Sequence, residues 1–556
     1  MTAANAAILF ERDGYTLGPR LMGRQAAGNA FLRAAVAGRQ GEPLWAYART
    51  RELADEFAAL VRACDAAAEA RWLAADDLGG LGKVGTLYLP GPGLGDAARL
   101  RLRAGPAAYS LCGVTHTTAS HSAMHDIAGL LSAPVMPWDA LICTSSAVAG
   151  TVRLLLHSEI EALRWRFGTA LTVTLPQLPV IPLGVHCADF VHAAQEREAA
   201  RAALGIAADE VVALFVGRLS FHAKAHPHAM YAALQATAQR TGRRLVLIQC
   251  GWFAHESIEQ AFRDGARQSC PEVRAVFTEG RDADARRRSW AAADLFVSLS
   301  DNIQETFGLA PIEAMAAGLP VVVTDWDGYK DTVRDGVDGF RIPTWMLGLD
   351  GEPFMRKYEA GIETYDRHCG LVCQMVSVDL HALTDRLSDL VSDPELRRRM
   401  GEAGRRRACE TFDWAVVYRQ YQALWAELAN LRDAARRDPE RQSMLAAAPR
   451  AAATWLDPFR GFAHYPTAVL RPETWISVQP GADGARYAAL ASHPLFNYAG
   501  RLLPERAIIE TLLAALGTSD ATLQDLAVQT GADLAWTGIA VAILAKMGLV
   551  RLRPDA

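Results

Sequence analysis

VVALFVGRL, RRLVLIQCG, RAVFTEG, DLFVSLS and VVVT are five short apolar runs between residues 211 and 324, separated by stretches with helical spacing. Runs of four to eight apolar residues without alternation have both faces covered, as strands of a parallel sheet do when helices cross over between them. The same rhythm precedes them. AAILF, PLWAY, VGTLYLP, AAYSLCGVTH, ALICTSS and LTVTLPQLPVIPLG are set among helical stretches such as ELADEFAALVRAC across the first 184 residues. Right-handed crossovers then give two successive doubly wound α/β domains, each with its ligand side at the carboxyl ends of its strands. A chain of 556 residues is too long for one ordinary core. The polar turn after VIPLGVHCADF, followed by the helix-like EREAARAALGI, places the boundary, with a first domain over 1–195 and a second over 196–412.

Residues 345–375 interrupt the alternation and read as an insertion. DWAVVYRQYQALWAELANLRDAARR (413–437) has the pattern of a long amphipathic helix with Asp413 as its N-cap. From 438 to 500 the chain is rich in Pro, Gly and Ala with weak periodicity, which predicts an irregular linker. Residues 501–556 run helix, helix, helix, strand, a winged-helix-like order. The third of those helices offers Leu534, Ala535, Trp536 and Ile539 rather than basic or amide side chains, and residues 471–556 carry seven Lys or Arg against eight Asp or Glu. That balance predicts packing or contact with a protein partner and no nucleic acid.

Overall net charge is −5. No window approaches the roughly 20 apolar residues that cross a bilayer, and no basic stretch precedes the short apolar run near the amino terminus, so neither export nor a membrane span is expected. Nine scattered cysteines predict a reducing cytoplasm rather than a disulfide framework or zinc site. The basic clusters RLRLR at 99–103 and RRR at 286–288 and 405–407 are expected on solvated faces.

The chemistry concentrates in ETFGLAPIEAMAAGLPVVVT, residues 305–324. Gly308 precedes a helix with Leu309, Ile312 and Ala316 on its apolar stripe, and Gly318 and Pro320 stop it before VVVT. Glu313 falls on the same stripe and is aimed inward, where an ionised carboxylate needs either a cation or a set of hydroxyl donors. Glu305 lies just before the helix, where free N–H groups and the helix dipole attract an anion such as phosphate. VGRLSFHAK (216–224) ends a strand and puts Arg218 and Lys224 in the loop on the ligand side, two cations suited to clamp a diphosphate without a metal.

With its EX7E at 305–313, VGRL and a following lysine, IPLGV at 181–185 and ADLFVSLSDN at 293–302, the chain resembles the retaining family-4 glycosyltransferases of GT-B fold over roughly residues 100–435. The resemblance implies two Rossmann-like domains facing each other across a cleft, with the helix 413–437 crossing back to the first; the insertion 345–375 and the mostly helical winged-helix-like appendage fall outside the family core. It implies that Gly217, Arg218 and Lys224 hold the diphosphate of a UDP- or GDP-linked sugar. Backbone amides of Thr306, Phe307, Gly308 and Leu309 would contact phosphate or sugar. Glu305 would bind the transferred sugar, Glu313 the ribose hydroxyls, and the main chain at Gly280 and Arg281 the base. On the first domain it implies His116 near the sugar and Gly23, in GPRLMGRQAAG (18–28), close to the donor phosphate. The implied activity is retaining transfer to a glycan, lipid or protein acceptor, without a metal cofactor, at a cytoplasmic site that includes the inner membrane face. Another nucleotide-sugar activity, epimerase or hydrolase, and a non-catalytic sugar-nucleotide-binding scaffold stay open.

PGPGLG (90–95) lacks dinucleotide-binding spacing, and His121, His125, His368, Cys369 and Cys373 lack the remaining ligands of a zinc site. Two departures from the family pattern lie near the implied sugar pocket. Leu299 stands where relatives carry proline, and DWDGYKDTV replaces a glycine-glycine loop.

Overall fold

The computed structural model describes residues 5–16, 23–170, 172–349, 351–498, 500–517 and 519–553. Residues up to Ala452 form one compact unit and Ala453–Ala556 a second. The first unit holds two six-stranded parallel sheets. One is built from β1 (Ala7–Leu9), β2 (Leu44–Ala48), β3 (Ala70–Ala74), β4 (Thr86–Leu89), β5 (Ser110–Val114) and β6 (Ala140–Ile142), in the order β3-β2-β1-β4-β5-β6. The other is built from β7 (Val211–Val216), β8 (Leu245–Gly251), β9 (Arg274–Glu279), β10 (Leu295–Ser298), β11 (Val321–Thr324) and β12 (Gly339–Ile342), in the order β12-β11-β10-β7-β8-β9. Numbered within each domain, both orders are the 3-2-1-4-5-6 of the dinucleotide-binding fold, and the α/β expectation is met twice.

Strands predicted from short apolar runs are those buried on both faces: every residue of β8, β10 and β11 is buried. Separate apolar clusters cover the two faces of each sheet, which is why these strands carry no polar alternation. The sequence did not reveal β3, because ARWLA buries only Leu73 and leaves Arg71 and Trp72 exposed, as an edge strand can. Conversely, the expected strand in LTVTLPQLPVIPLG makes only isolated bridges, Gln177 to Ala140 and Val180 to Cys143. Prolines 176, 179 and 182 remove ladder donors there.

Two chain passages join the domains side by side. Val185 N–H donates to the Phe412 carbonyl at 2.8 Å and Trp414 N–H to the Val185 carbonyl at 3.0 Å. Asp413 caps the helix Trp414–Arg437 through Ala415 N–H, as its sequence position predicts, and its other carboxylate oxygen accepts from Cys187 N–H. A Cβ at Gly184 would lie 2.5 Å from the Trp414 ring, so only glycine lets the two passages approach this closely. The helix then runs back over the first sheet, burying Tyr418, Tyr421, Trp425 and Leu428 among Phe31 and Tyr88.

Residues 345–375 form a protrusion whose stem is the antiparallel pair β13 (Thr344–Met346) and β14 (Val376–Val378), with helices Glu352–Glu359 and Tyr365–Cys373 between them. The second unit contains β15 (Trp475–Val478), β16 (Ala521–Thr522) and β17 (Val550–Arg553) with β15 central. Its helices Arg506–Leu516, Leu523–Thr530 and Leu534–Lys546 follow the order read from the sequence. The irregular linker expected over 438–500 is therefore corrected: β15 lies inside it, and its Ile476 is in the core of the unit. Four residues of strand amid Pro and Gly were too short to show a period.

The cluster RLRLR is also corrected. Arg101 is fully buried and forks onto Asp139 at 2.6 and 2.7 Å, while its guanidinium also reaches the Tyr109 and Pro134 carbonyls. Asp139 in turn accepts from the N–H groups of Leu111 and Met136. Removing one partner strands the other charge in the interior, so Arg101→Ala is expected to destabilise the first domain by about 3–5 kcal/mol in urea unfolding of the full chain. A loss below about 1 kcal/mol, the range of an exposed pair, would contradict this burial.

Candidate active site

In the second sheet the strand order reverses between β7 and β10, and the crevice that ligands use in such sheets opens at their carboxyl ends. The loop after β7 carries Gly217, Arg218 and Lys224, and the loop after β10 carries Gln304 to Gly308, so the topology brings the two predicted segments to this one place. Glycines floor the edge beside it. A Cβ at Gly251 would sit 2.0 Å from the Gly217 carbonyl oxygen and one at Gly280 would sit 2.8 Å from the Gly251 Cα.

Lys224 Nζ donates to Glu305 Oε2. Burial works to raise the Glu305 carboxyl, but the charge and hydrogen bond of Lys224, with the N–H groups of Thr306 and Phe307, outweigh it and hold the group below its ordinary value. Glu305 is thus ionised and immobilised. Arg218 Nη2 donates to the Ala223 carbonyl at 2.8 Å and to Gln304 Oε1 at 2.9 Å, which aims the guanidinium along the same loop. Asn302 organises the turn, accepting from Gln304 N–H at 2.9 Å and donating to the His222 carbonyl at 3.0 Å.

Gly308 takes φ +86° at the start of the helix Leu309–Ala316, and a Cβ there would lie 2.0 Å from the Tyr329 ring. No other residue fits both the conformation and the space. Leu309 and Ala310, as the first residues of that helix, have N–H groups with no intrahelical acceptor, and they point to the crevice end. Glu313 lies on the same helix. Burial pushes its carboxyl up to about 7, and what offsets that burial comes from the charges of Arg286 and then Lys224. Among the described residues none hydrogen-bonds the Glu313 carboxylate, which is only partly buried and so open to a ligand from the crevice.

From the first domain, His116 follows β5 and its carbonyl accepts from Thr306 Oγ1 at 3.1 Å. Ser145, after β6, donates to the Thr306 carbonyl at 2.8 Å. Thr306 is therefore held across the cleft by the ends of two first-domain strands. Of the glycine loop expected over 18–28, residues 18–22 lie outside the described residues, and 23–28 are corrected to the first turns of the helix Gly23–Gly38, which Gly23 opens. Gly28 on that helix leaves only 1.9 Å between a would-be Cβ and the Gly14 carbonyl oxygen. The main chain at Gly280 and Arg281, assigned to the base, is engaged within the loop after β9. Gly280 N–H donates to the Gly251 carbonyl, the Gly280 carbonyl accepts from Arg286, and Arg281 N–H is taken by Glu279.

Sequence reasoning missed the contribution of the protrusion. Tyr358 OH accepts from His121 N–H at 3.0 Å, Tyr365 OH lies 3.4 Å from Thr117 Oγ1, and Gly370 packs on His222. The protrusion spans from the segment after β5 to the loop after β7, closing one side of the crevice. His368 stacks on Tyr358 with ring centroids 4.4 Å apart, a packing role. Ser145, Gln304 and Asn302 were also missed, since lone polar residues at strand ends give no periodic signal.

The Glu313 environment sets a pH dependence. An unfolded glutamate ionises near 4.5, whereas the folded carboxyl holds its proton to about 7, so the native state binds more protons across that window. Stability present below the lower value is lost as pH rises through the higher. Glu313→Gln is therefore expected to gain on the order of 2–3 kcal/mol over the parent between pH 4 and pH 8 in urea unfolding. A difference that does not change with pH would contradict it.

Residues 196–344 match the family model described as Glycosyl transferases group 1, which ends where β13 begins. The D-inositol 3-phosphate glycosyltransferase of Nocardia farcinica is 32% identical over 149 residues, covering 26% of this chain and 32% of that protein. Spore coat protein SA of Bacillus subtilis is 27% identical over 226 residues, covering 40% of this chain and 50% of that protein. The chain thus spans between about a third and a half of the length of these curated relatives. Among solved structures, Anabaena Alr3699/HepE in complex with UDP aligns at 15% identity over 76% of this chain and 100% of that one, with a TM-score of 0.49. Sucrose-phosphate synthase from Thermosynechococcus elongatus aligns at 17% identity over 77% and 97%, with a TM-score of 0.47. The family match is thus confined to the second of two sheets of the same strand order, and the EX7E segment lies at the crevice of that sheet.

Proposed function

We propose that the protein is a retaining glycosyltransferase that moves a sugar from a UDP- or GDP-linked donor to an acceptor hydroxyl. The observation that carries this is the pairing, at one switch-point crevice, of a cationic loop with a helix start and a partly buried carboxylate that no described side chain hydrogen-bonds. The diphosphate lies against Arg218, Lys224 and the free N–H groups at Leu309 and Ala310, and the ribose hydroxyls donate to Glu313. The transferred sugar reaches Glu305. The bond from the anomeric carbon to the phosphate oxygen breaks, the bond to the acceptor oxygen forms on the same face, and the acceptor proton passes to the departing phosphate oxygen. Charge growing on that oxygen is met by Lys224, Arg218 and the helix dipole, so positioning and electrostatics supply the rate without an enzyme nucleophile or a metal. The names of the relatives support a small polyol phosphate as one acceptor class to try first.

Incubation with UDP-glucose, GDP-mannose and ADP-glucose, with inositol phosphate as acceptor, tests the reading through nucleotide release. Lys224→Ala and Glu305→Ala are each expected to lower kcat about 100- to 1,000-fold, as removal of one transition-state contact does. Product from an α-linked donor should keep the α configuration by proton NMR. A β product overturns the retaining mechanism, and donor binding without turnover favours a sugar-nucleotide-binding scaffold.

A further inference from the structure

The protrusion over 345–375 lies beyond the segment matched by the family, yet it reaches the loop that carries Arg218 and Lys224. Its helix Tyr365–Cys373 is anchored on that loop. A Cβ at Gly370 would sit 2.9 Å from the His222 Cβ, and the Cys373 thiol donates to the Phe221 carbonyl at 3.7 Å. One turn after Tyr365, buried Cys369 is close enough to Arg218 for the guanidinium charge to act on its thiol. From this anchorage on the second domain two tyrosines extend to the first, Tyr358 to His121 N–H and Tyr365 to the Thr117 hydroxyl.

Tyr365 also meets the diphosphate loop, because its hydroxyl is hydrogen-bonded by the Gln304 side chain as well as by Thr117. The Gln304 amide is oriented by its other partner. Arg218 Nη2 donates to Gln304 Oε1 at 2.9 Å, and a guanidinium can only donate, so the amide nitrogen is the end that turns to Tyr365. Burial pushes the Tyr365 phenol up to about 12, which keeps it a neutral hydroxyl at pH 7. A chain of side chains, Arg218 to Gln304 to Tyr365 to Thr117, thus starts at the cationic loop and ends on the first domain. The other Arg218 hydrogen bond, to the Ala223 carbonyl, stays within its own loop, so Gln304 is what sets the guanidinium against the rest of the crevice. The Tyr365–Thr117 separation of 3.4 Å is long for two hydroxyls and leaves this link room to shorten as the domains close on a ligand.

Resting on the transferase reading, we propose that Tyr365 is a positioning residue for the transfer step: through Gln304 it orients Arg218 toward the departing diphosphate, and through Thr117 it ties that orientation to the approach of the first domain. Arg218 meets charge that grows only as the anomeric bond breaks. Its misalignment therefore costs rate more than it costs nucleotide binding.

The test compares the full-length parent with Tyr365→Phe, which keeps the ring and removes the hydroxyl, with Gln304→Ala, and with the double variant. Nucleotide release is read with the donor the parent uses best among UDP-glucose, GDP-mannose and ADP-glucose, and binding of the matching nucleoside diphosphate by calorimetry. Tyr365→Phe is expected to lower kcat about tenfold while KM and the nucleotide Kd change less than about threefold. In the Gln304→Ala background the same substitution is expected to cost less than about twofold more, because the hydroxyl then has nothing to orient. A loss of about tenfold in both backgrounds, or an unchanged kcat in Tyr365→Phe, overturns the inference and leaves the hydroxyl a packing group. Where Tyr365→Phe lowers the ligand-free Tm by more than about 3 °C, Thr117→Val takes its place. A kcat loss of about fivefold or more with unchanged Kd then supports the chain, and an unchanged kcat overturns it. No release by the parent with any of the three donors overturns the transferase reading itself, and with it this one.

Discussion

The ion pair between Lys224 and Glu305 fixes the crevice that everything else serves. Two charges brought out of water are stable only with good geometry and further hydrogen bonds, and here both conditions are met by backbone. Lys224 belongs to the loop after β7 and Glu305 to the loop after β10, adjacent strands from which the chain departs in opposite directions. The pair can form only if the sheet has this order, the turn through Asn302 is closed, and Gly308 lets Tyr329 pack beneath the loop. The same ammonium is what a diphosphate at the helix start would contact.

The first domain positions that loop from outside. Ser145 and the His116 carbonyl grip Thr306 from the ends of β6 and β5, so the crevice has a wall from each domain. What keeps those walls in register is the double passage at Val185 and Asp413 and the aromatic face of the helix Trp414–Arg437 on the first sheet. The protrusion between β13 and β14 adds Tyr358 and Tyr365 to the rim, beyond the segment shared with the family.

Much of this was legible in the sequence because burial on both faces leaves a clear pattern: β7, β8, β10 and β11 are runs dominated by apolar residues, and Glu313 stood out as the acid on an apolar stripe. Asp413 was readable as a cap for the same local reason. Other features depend on contacts that no local pattern encodes. Strand β3 sits at an edge and keeps polar residues, and Arg101 looks like a surface charge until Asp139, thirty-eight positions away, is folded onto it. Asp327 showed only as a departure from a glycine pair; its positive φ and orphaned oxygen come from the neighbouring loop pressing on Gly328.

The central claim is that Glu313 and the Lys224 loop form one nucleotide-binding crevice, and proton release on binding tests it most directly. Ribose hydroxyls donating to Glu313 favour its ionised form, so a carboxyl poised at about 7 should shed its proton when the nucleotide binds. Calorimetric titration of UDP and GDP at pH 7 in two buffers of different ionisation enthalpy should show release of about half a proton more from the parent than from Glu313→Gln. Binding with the same proton release in both proteins, or no binding by the parent, would contradict the account.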